Sequence, residues 1–231
     1  MSGDKIPHTM KLFVDSGNLK DIETLAAIGI IDGVTTNPSL LAKEPGDYRQ
    51  NLRRICEIVN GPVSGEVVAT DFAGMIREGH DIAALDERMV VKVPLTRDGI
   101  RACKALASEA IRVNVTLVFS AAQAILAAKV GATFVSPFVG RLDDVATSGM
   151  DLVREIVAIY DNYEFTTEVL VASCRHPIHI VEAARAGADI CTCPAAVIDQ
   201  LFNHPLTSIG LEKFLKDWEK AQAARSHEHS R

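Results

Sequence analysis

Apolar runs of β-forming residues recur eight times along the chain, and a stretch with helical spacing follows each one. The runs are Lys11–Ser16, Gly33–Asn37, Pro62–Ala69, Met89–Leu95, Arg112–Phe119, Thr133–Val139, Glu164–Ala172 and Asp189–Cys193. The helical stretches are Asn18–Ala27, Asp47–Val59, Asp71–Leu85, Arg97–Ala110, Ser120–Lys129, Gly149–Tyr160, Pro177–Ala186 and Ala195–Phe202. In the second of these, Leu52, Ile55, Cys56 and Val59 fall at the spacing of one buried helix face. Such β-then-α alternation implies a parallel sheet with helices outside it. Eight units in 231 residues predict an α/β fold, a closed (β/α)8 TIM barrel, whose typical length is about 250 residues. The alternative is an open doubly wound sheet. That fold usually carries a Gly-rich phosphate turn after its first strand, and Asp15-Ser16-Gly17-Asn18 holds no GxGxxG. No Pro/Gly/Ser-rich linker divides the chain. The expectation is a single domain over 1–231, with the barrel at about 11–203 and an extra C-terminal helix at about 206–224, clearest at Leu211–Ala224.

Charge narrows the partners. Lys plus Arg total 24 and Asp plus Glu total 30, a net charge of −6. Binders of nucleic acid or of membrane surfaces need a basic footprint, so neither partner is expected. With 48% hydrophobic residues the chain is too apolar to be disordered. The start, Met1 to Lys11, lacks the apolar core of a signal peptide. The longest charge-free stretch, Val113 to Ala128, is interrupted by Asn114, Thr116, Ser120 and Gln123 and is too short and polar to span a membrane. The expected location is the cytoplasm. The five cysteines show no disulfide spacing. Cys191 and Cys193 share one strand face and are read as buried small apolar groups. His176 and His179, three apart, lack a metal-site pattern and are read as surface or helix-start residues. His227 and His229 belong to a polar tail. No metal is expected.

In a barrel, catalytic groups come from the C-terminal ends of the strands. The polar residues there are Asp15 on the first strand, Thr35 and Asn37 on the second, Glu66 on the third and Lys92 on the fourth. Asn114 and Thr116 lie on the fifth, Ser136 on the sixth with Arg141 just after it, and Ser173 and Arg175 follow the seventh. Lys92 shares a strand face with Val90 and Pro94. If that face points into the barrel, burial disfavours the ammonium, and a neutral amine can attack a ketone or aldehyde to form a Schiff base. The alternative is a strand-end lysine whose head reaches water. Glu66 and Asp15 suit proton transfer beside such a lysine, or else an ion pair or a helix cap. Arg141 and Arg175 suit a phosphate, or else surface pairs with acids such as Asp143 and Asp144.

The segments FVDSGN (13–18), GVTTNPSLL (33–41), VVKVPLT (90–96), NVTLVFSAAQA (114–124), SPFVGRLDD (136–144) and LVASCRHP (170–177) carry a family resemblance. In these segments the chain resembles the transaldolases of the short, single-domain type, related to fructose-6-phosphate aldolase. That family folds as a (β/α)8 barrel. The resemblance implies that Lys92 forms the Schiff base and that Asp15 is the acid/base of carbon–carbon cleavage. It makes Glu66 the acid acting through a water that Thr116 helps to hold. Thr35, Asn37, Asn114, Ser136 and Ser173 would bind sugar hydroxyls, and Arg141 and Arg175 the phosphate. Glu66 and Phe138 stand where the aldolase branch usually has Gln and Tyr, and match the transferase branch, as does Asn114. Cys174 departs from a more frequent Phe, with a small packing change expected.

The activity so implied moves a dihydroxyacetone unit between sugar phosphates without metal or organic cofactor, in the pentose phosphate pathway. The competing readings are a fructose-6-phosphate aldolase and a non-catalytic sugar-phosphate-binding barrel. The resemblance also implies a homo-oligomer, a decamer of two pentamers. The helix near Leu211–Ala224 would dock on a neighbour or else cover its own barrel.

Overall fold

A computed structural model describes residues 9–228; the start at 1–8 and His229 lie outside the described residues. The strands are β1 (Lys11–Asp15), β2 (Gly33–Thr35), β3 (Val63–Glu66), β4 (Met89–Pro94), β5 (Val113–Val118), β6 (Phe134–Pro137), β7 (Glu168–Val171) and β8 (Ile190–Cys193). The helices are α1 (Leu19–Ile28), α2 (Pro38–Leu41), α3 (Tyr48–Ile58), α4 (Phe72–Ala83), α5 (Arg97–Ser108) and α6 (Ala121–Lys129). They continue with α7 (Val139–Asp143), α8 (Gly149–Asn162), α9 (Pro177–Ala186), α10 (Ala195–Gln200) and α11 (Pro205–Glu228). All eight strands pair in parallel in chain order, and β8 closes on β1. The predicted TIM barrel with an extra C-terminal helix is the observed fold.

The period of two along each strand sorts the side chains. Val14, Val34, Val63, Val91, Val115, Val135, Val169 and Cys191 point outward into one core shared with the helices. Phe13, Val90, Phe134, Leu170 and Ile190 form a separate apolar cluster inside the barrel. Phe13 and Phe134 meet edge to face, with centroids 6.3 Å apart. Gly33 makes room for them, since a Cβ there would lie 2.6 Å from the Phe13 ring and 2.7 Å from the Pro62 carbonyl oxygen. This cluster is the floor of the barrel. The strand ends beyond it face the mouth.

The turns that lead to the helices are set by short polar caps. Asn18, Asn37, Asp47, Asp71, Thr96, Ser120 and Ser148 each accept a hydrogen bond from the first turn of the following helix. At the helix ends, Gly131 and Gly187 take a left-handed backbone, which glycine adopts without a Cβ clash. Strand β5 ends irregularly: its register to β6 shifts between Val115 and Val118, and Leu117 sits at φ 59°. Such a bulge bends a strand end and re-aims the side chains beside it, here Thr116.

Three boundaries differ from expectation. The strands are shorter than their apolar runs; Phe165, in the seventh run, packs on the helical layer, and its N–H donates to the Tyr160 carbonyl of α8 and not to a strand. Helices α2 and α7 are one-turn pieces, too short to show a period. Helix α11 begins at Pro205, as expected, but runs past the expected end to Glu228, and it does not cover the barrel: Leu206, Ile209, Leu211, Phe214, Leu215 and Trp218 are each 55–72% exposed. Among the described residues, no helix is long and apolar enough to cross a membrane. All five cysteines are free and buried, and no group that could hold a metal occurs among the described residues.

Candidate active site

The strand register places the mouth residues in layers. Glu66 on β3 lies beside Lys92 on β4, which lies beside Asn114 on β5. Asp15 on β1 lies beside Thr35 on β2, and Thr116 lies one step above Asn114, beside Pro94. Lys92 is only 5% exposed, so its alternative as a solvent-reaching lysine does not hold. Its Nζ sits 2.9 Å from Glu66 Oε2 and donates to the Thr36 carbonyl at 3.1 Å. A buried ammonium without such partners would be strongly unfavourable. The end of β3 is held by Tyr48, whose hydroxyl donates to the Glu66 carbonyl at 2.8 Å.

Asp15 belongs to a second chain of contacts. Thr35 Oγ1 donates to Asp15 Oδ1 at 2.7 Å and also meets Thr192 Oγ1 at 2.7 Å. With its one proton given to Asp15, Thr35 accepts from Thr192. Burial raises the Asp15 carboxyl above the usual carboxylate range, against the opposing pull of Lys92 and of the Thr35 hydrogen bond. Across the mouth, Ser136 Oγ donates to Asn114 Oδ1 at 2.7 Å, and Asn114 Nδ2 donates to Ser64 Oγ at 3.3 Å. Thr116 Oγ1 is different. Among the described residues it is the one buried side-chain polar atom without a hydrogen-bond partner. Its lone pairs and proton are free for a small polar guest.

These groups surround a cavity of about 150 Å³ at the C-terminal ends of the strands. Asp15, Thr35, Asn37, Lys92, Ser136, Phe138, Arg141 and Ser173 all line it. Glu66, Asn114 and Thr116 do not line it; Glu66 and Asn114 flank Lys92, which does, and Thr116 lies one step above Asn114. Phe138 packs edge to face on Phe119 at 6.0 Å, and the Arg141 guanidinium lies over the Phe138 ring at 5.4 Å. Arg175 lines an adjoining recess with Asp15 and Ser173, and its Nη1 and Nη2 both donate to Asp144, at 2.6 and 2.5 Å. The surface pair weighed for Arg175 is thus present, while Arg141 faces the cavity. A larger recess of about 770 Å³ opens at the opposite end of the strands, beside Glu168 and Asp189, and holds none of the expected site residues.

Sequence reasoning missed Thr192 and Ser64, both buried inside the mouth. The signal for Thr192 was present: Cys191 and Cys193 share the outward face, so the residue between them must point inward. It also missed the Thr36 carbonyl that receives the Lys92 proton, since a backbone group leaves no trace in side-chain identity. His176 and His179 both lie at the start of α9, as read, and His179 is buried there.

The model of the family described as transaldolase/fructose-6-phosphate aldolase matches residues 12–228. A probable transaldolase of Kosmotoga olearia is 55% identical over 211 residues, which is 91% of this chain and 97% of the relative. One from Aquifex aeolicus is 57% identical over 211 residues, with 91% and 97% covered. One from Syntrophobacter fumaroxidans is 54% identical over 220 residues, with 94% and 100% covered. Shared identity of this depth across almost the whole of both chains, on a barrel with a buried lysine at its mouth, makes this chain a member of the transaldolase/fructose-6-phosphate aldolase family.

Proposed function

We propose that the protein is a transaldolase that transfers a dihydroxyacetone unit through a Schiff base on Lys92. The observation that carries this reading is the 2.9 Å contact between the buried Lys92 amine and Glu66, facing a cavity that Asp15 also lines. Lys92 Nζ attacks the ketone carbon of a ketose phosphate, sedoheptulose 7-phosphate or fructose 6-phosphate. Water leaves as the imine forms. Glu66 first takes the proton of the Lys92 ammonium, which frees the amine to attack, and then gives that proton to the departing hydroxyl, through a water that the unpartnered Thr116 hydroxyl holds.

Asp15 then takes the proton of the hydroxyl next to the bond that breaks. The bond's electrons move into the imine, and an aldose phosphate departs. The enamine left on Lys92 attacks the carbonyl of a second aldose phosphate, glyceraldehyde 3-phosphate or erythrose 4-phosphate, and hydrolysis frees the product. A carboxyl held above its ordinary range is suited to accept a proton near neutral pH. Asn37, Ser136 and Ser173 bind the sugar hydroxyls, Thr35 and Asn114 hold the polar network behind them, and Arg141 and Arg175 bind the phosphate. The lysine imine is the electron sink, so no metal or organic cofactor enters this scheme.

Borohydride added with fructose 6-phosphate should trap a covalent adduct on Lys92, read by peptide mass. An adduct on another lysine, or none, overturns the mechanism. An aldolase reading competes, and Glu66 and Phe138 favour transfer over it. A Phe ring has no hydroxyl to activate water against the enamine, so Phe138→Tyr should raise the release of free dihydroxyacetone. Turnover that depends on an added acceptor aldose phosphate separates transfer from simple cleavage. This chemistry belongs to pentose phosphate interconversion in the cytoplasm. We further propose that the protein is a homo-oligomer, a decamer of two pentamers, in which α11 docks on a neighbouring copy; its exposed apolar residues support this. Sedimentation of the chain truncated before Pro205 checks it. Loss of the assembly is the expected result, and an unchanged mass overturns the docking role.

A further inference from the structure

We propose that His179 is a positioning residue that ties together the two loops carrying Arg141 and Arg175. The inference rests on the reading that these arginines bind the substrate phosphate. His179 lies in the first turn of α9 and is only 5% exposed. Both of its ring nitrogens are used, and each reaches a different loop. Nε2 lies 3.0 Å from Oδ2 of Asp143, the last residue of α7 and two residues after Arg141. Nδ1 accepts from the backbone N–H of Arg175 at 3.2 Å.

Because Nδ1 accepts from a backbone donor, the ring proton belongs on Nε2, where Asp143 receives it. The two partners therefore fix one neutral tautomer and one ring orientation. Burial and the neighbouring His176, whose ring stacks on it at 3.9 Å, hold the His179 pKa below its ordinary value and keep it in that state. Asp143 is itself anchored, since its Oδ1 accepts from the Gly149 N–H at 2.9 Å where α8 begins.

A second tie lies beside the first. The Gly140 N–H donates to the Ser173 carbonyl at 3.1 Å, and a Cβ on Gly140 would lie 2.3 Å from that oxygen. Arg141 follows Gly140 directly, and Arg175 comes two residues after Ser173. The backbone contact fixes how close the loops come, and the imidazole fixes their angle, with one bond on each side. Asp144, next to Asp143, takes the Nη1 and Nη2 edge of Arg175. The single turn of α7 with its C-cap Asp144 thus carries Arg141, the acceptor for His179 and the partner of Arg175. The consequence is that the separation of the two guanidinium groups, and with it the fit to a phosphate, depends on His179. The bond-making chemistry at Lys92 does not.

The test compares an acceptor with a phosphate, glyceraldehyde 3-phosphate, against glyceraldehyde, which has none. His179→Ala should raise KM for the phosphorylated acceptor about tenfold, the lower range for loss of a group that orients a binding residue. KM and kcat for glyceraldehyde should change less than about twofold, within the spread of surface-type effects. Asp143→Asn and His179→Gln cut or weaken the same tie with less loss of volume. They should give the same split in smaller measure, and they carry the test if His179→Ala does not fold. Equal losses on both acceptors, or none on either, overturn the positioning role. Arg141→Ala and Arg175→Ala run beside these variants. If they leave KM for glyceraldehyde 3-phosphate unchanged, the phosphate reading itself fails and the inference falls with it. If they raise it while the His179 and Asp143 variants do not, only the inference fails.

Discussion

The inward positions of the same strands make two regions of opposite character. One step of two residues separates Phe13 from Asp15, Val90 from Lys92, Phe134 from Ser136, and Ile190 from Thr192. That step is about 6.6 Å along a strand. Below it lies the apolar cluster of Phe13, Val90, Phe134, Leu170 and Ile190; above it lie an ion pair, a carboxyl and a hydroxyl network. The floor gains stability from burial, and the mouth loses some of it to desolvation. Their closeness is what gives the mouth its chemistry. A dry base under Asp15 and Lys92 keeps water from one side and makes each electrostatic contact count for more.

The largest test of this division is at the mouth. Lys92→Met should lower turnover by about 10⁴-fold or more, as expected for loss of a covalent nucleophile, with the circular dichroism of the barrel retained. Turnover within tenfold of the parent would move the nucleophile elsewhere. At the floor the pattern should reverse. Phe13→Ala should cost about 3–5 kcal/mol of stability. That is a fall in Tm of about 10 °C for a chain of this size. Calorimetry checks it, and an unchanged Tm would show that the floor is not a packed base.

The smallest effect is the most specific. Burial raises the Asp15 carboxyl above its ordinary value of 3.8, so folding at neutral pH must take in a group that the unfolded chain ionises freely. Asp15→Asn should therefore lose activity yet gain stability at pH 7. The gain should shrink as pH falls and vanish below 3.8, where both states of the parent are protonated. A variant less stable than the parent at pH 7 would mean that the Asp15 charge is a net support of the fold.

The floor and the mouth were not equally legible in the sequence. All eight strands were found because β-rich runs and helical periods alternate without a break, and that signal is spread over many residues. Their ends were read too long where an apolar residue, such as Phe165, packs on the helices outside any ladder. The mouth was legible where a charge interrupts an apolar run, as at Lys92 and Glu66, because only a partner can offset its burial. Thr192 and Ser64 drew no notice, since a small hydroxyl in a strand has many ordinary explanations. The His179 tie links residues 36 apart along the chain, and nothing local marks them as partners. Asp144 was legible as a partner for one of the two arginines, and it holds Arg175 through Nη1 and Nη2.

The contact between Gly140 and Ser173 also bears on how such a barrel can change over generations. A larger residue at 140 would collide with the neighbouring loop's backbone, and with the Arg175 side chain 2.7 Å away. Neither loop is then a free module. A graft that replaces one of them with a longer segment, to admit a new substrate, must carry the matching segment of the other. The two loops should be inherited, recombined and redesigned as a single unit.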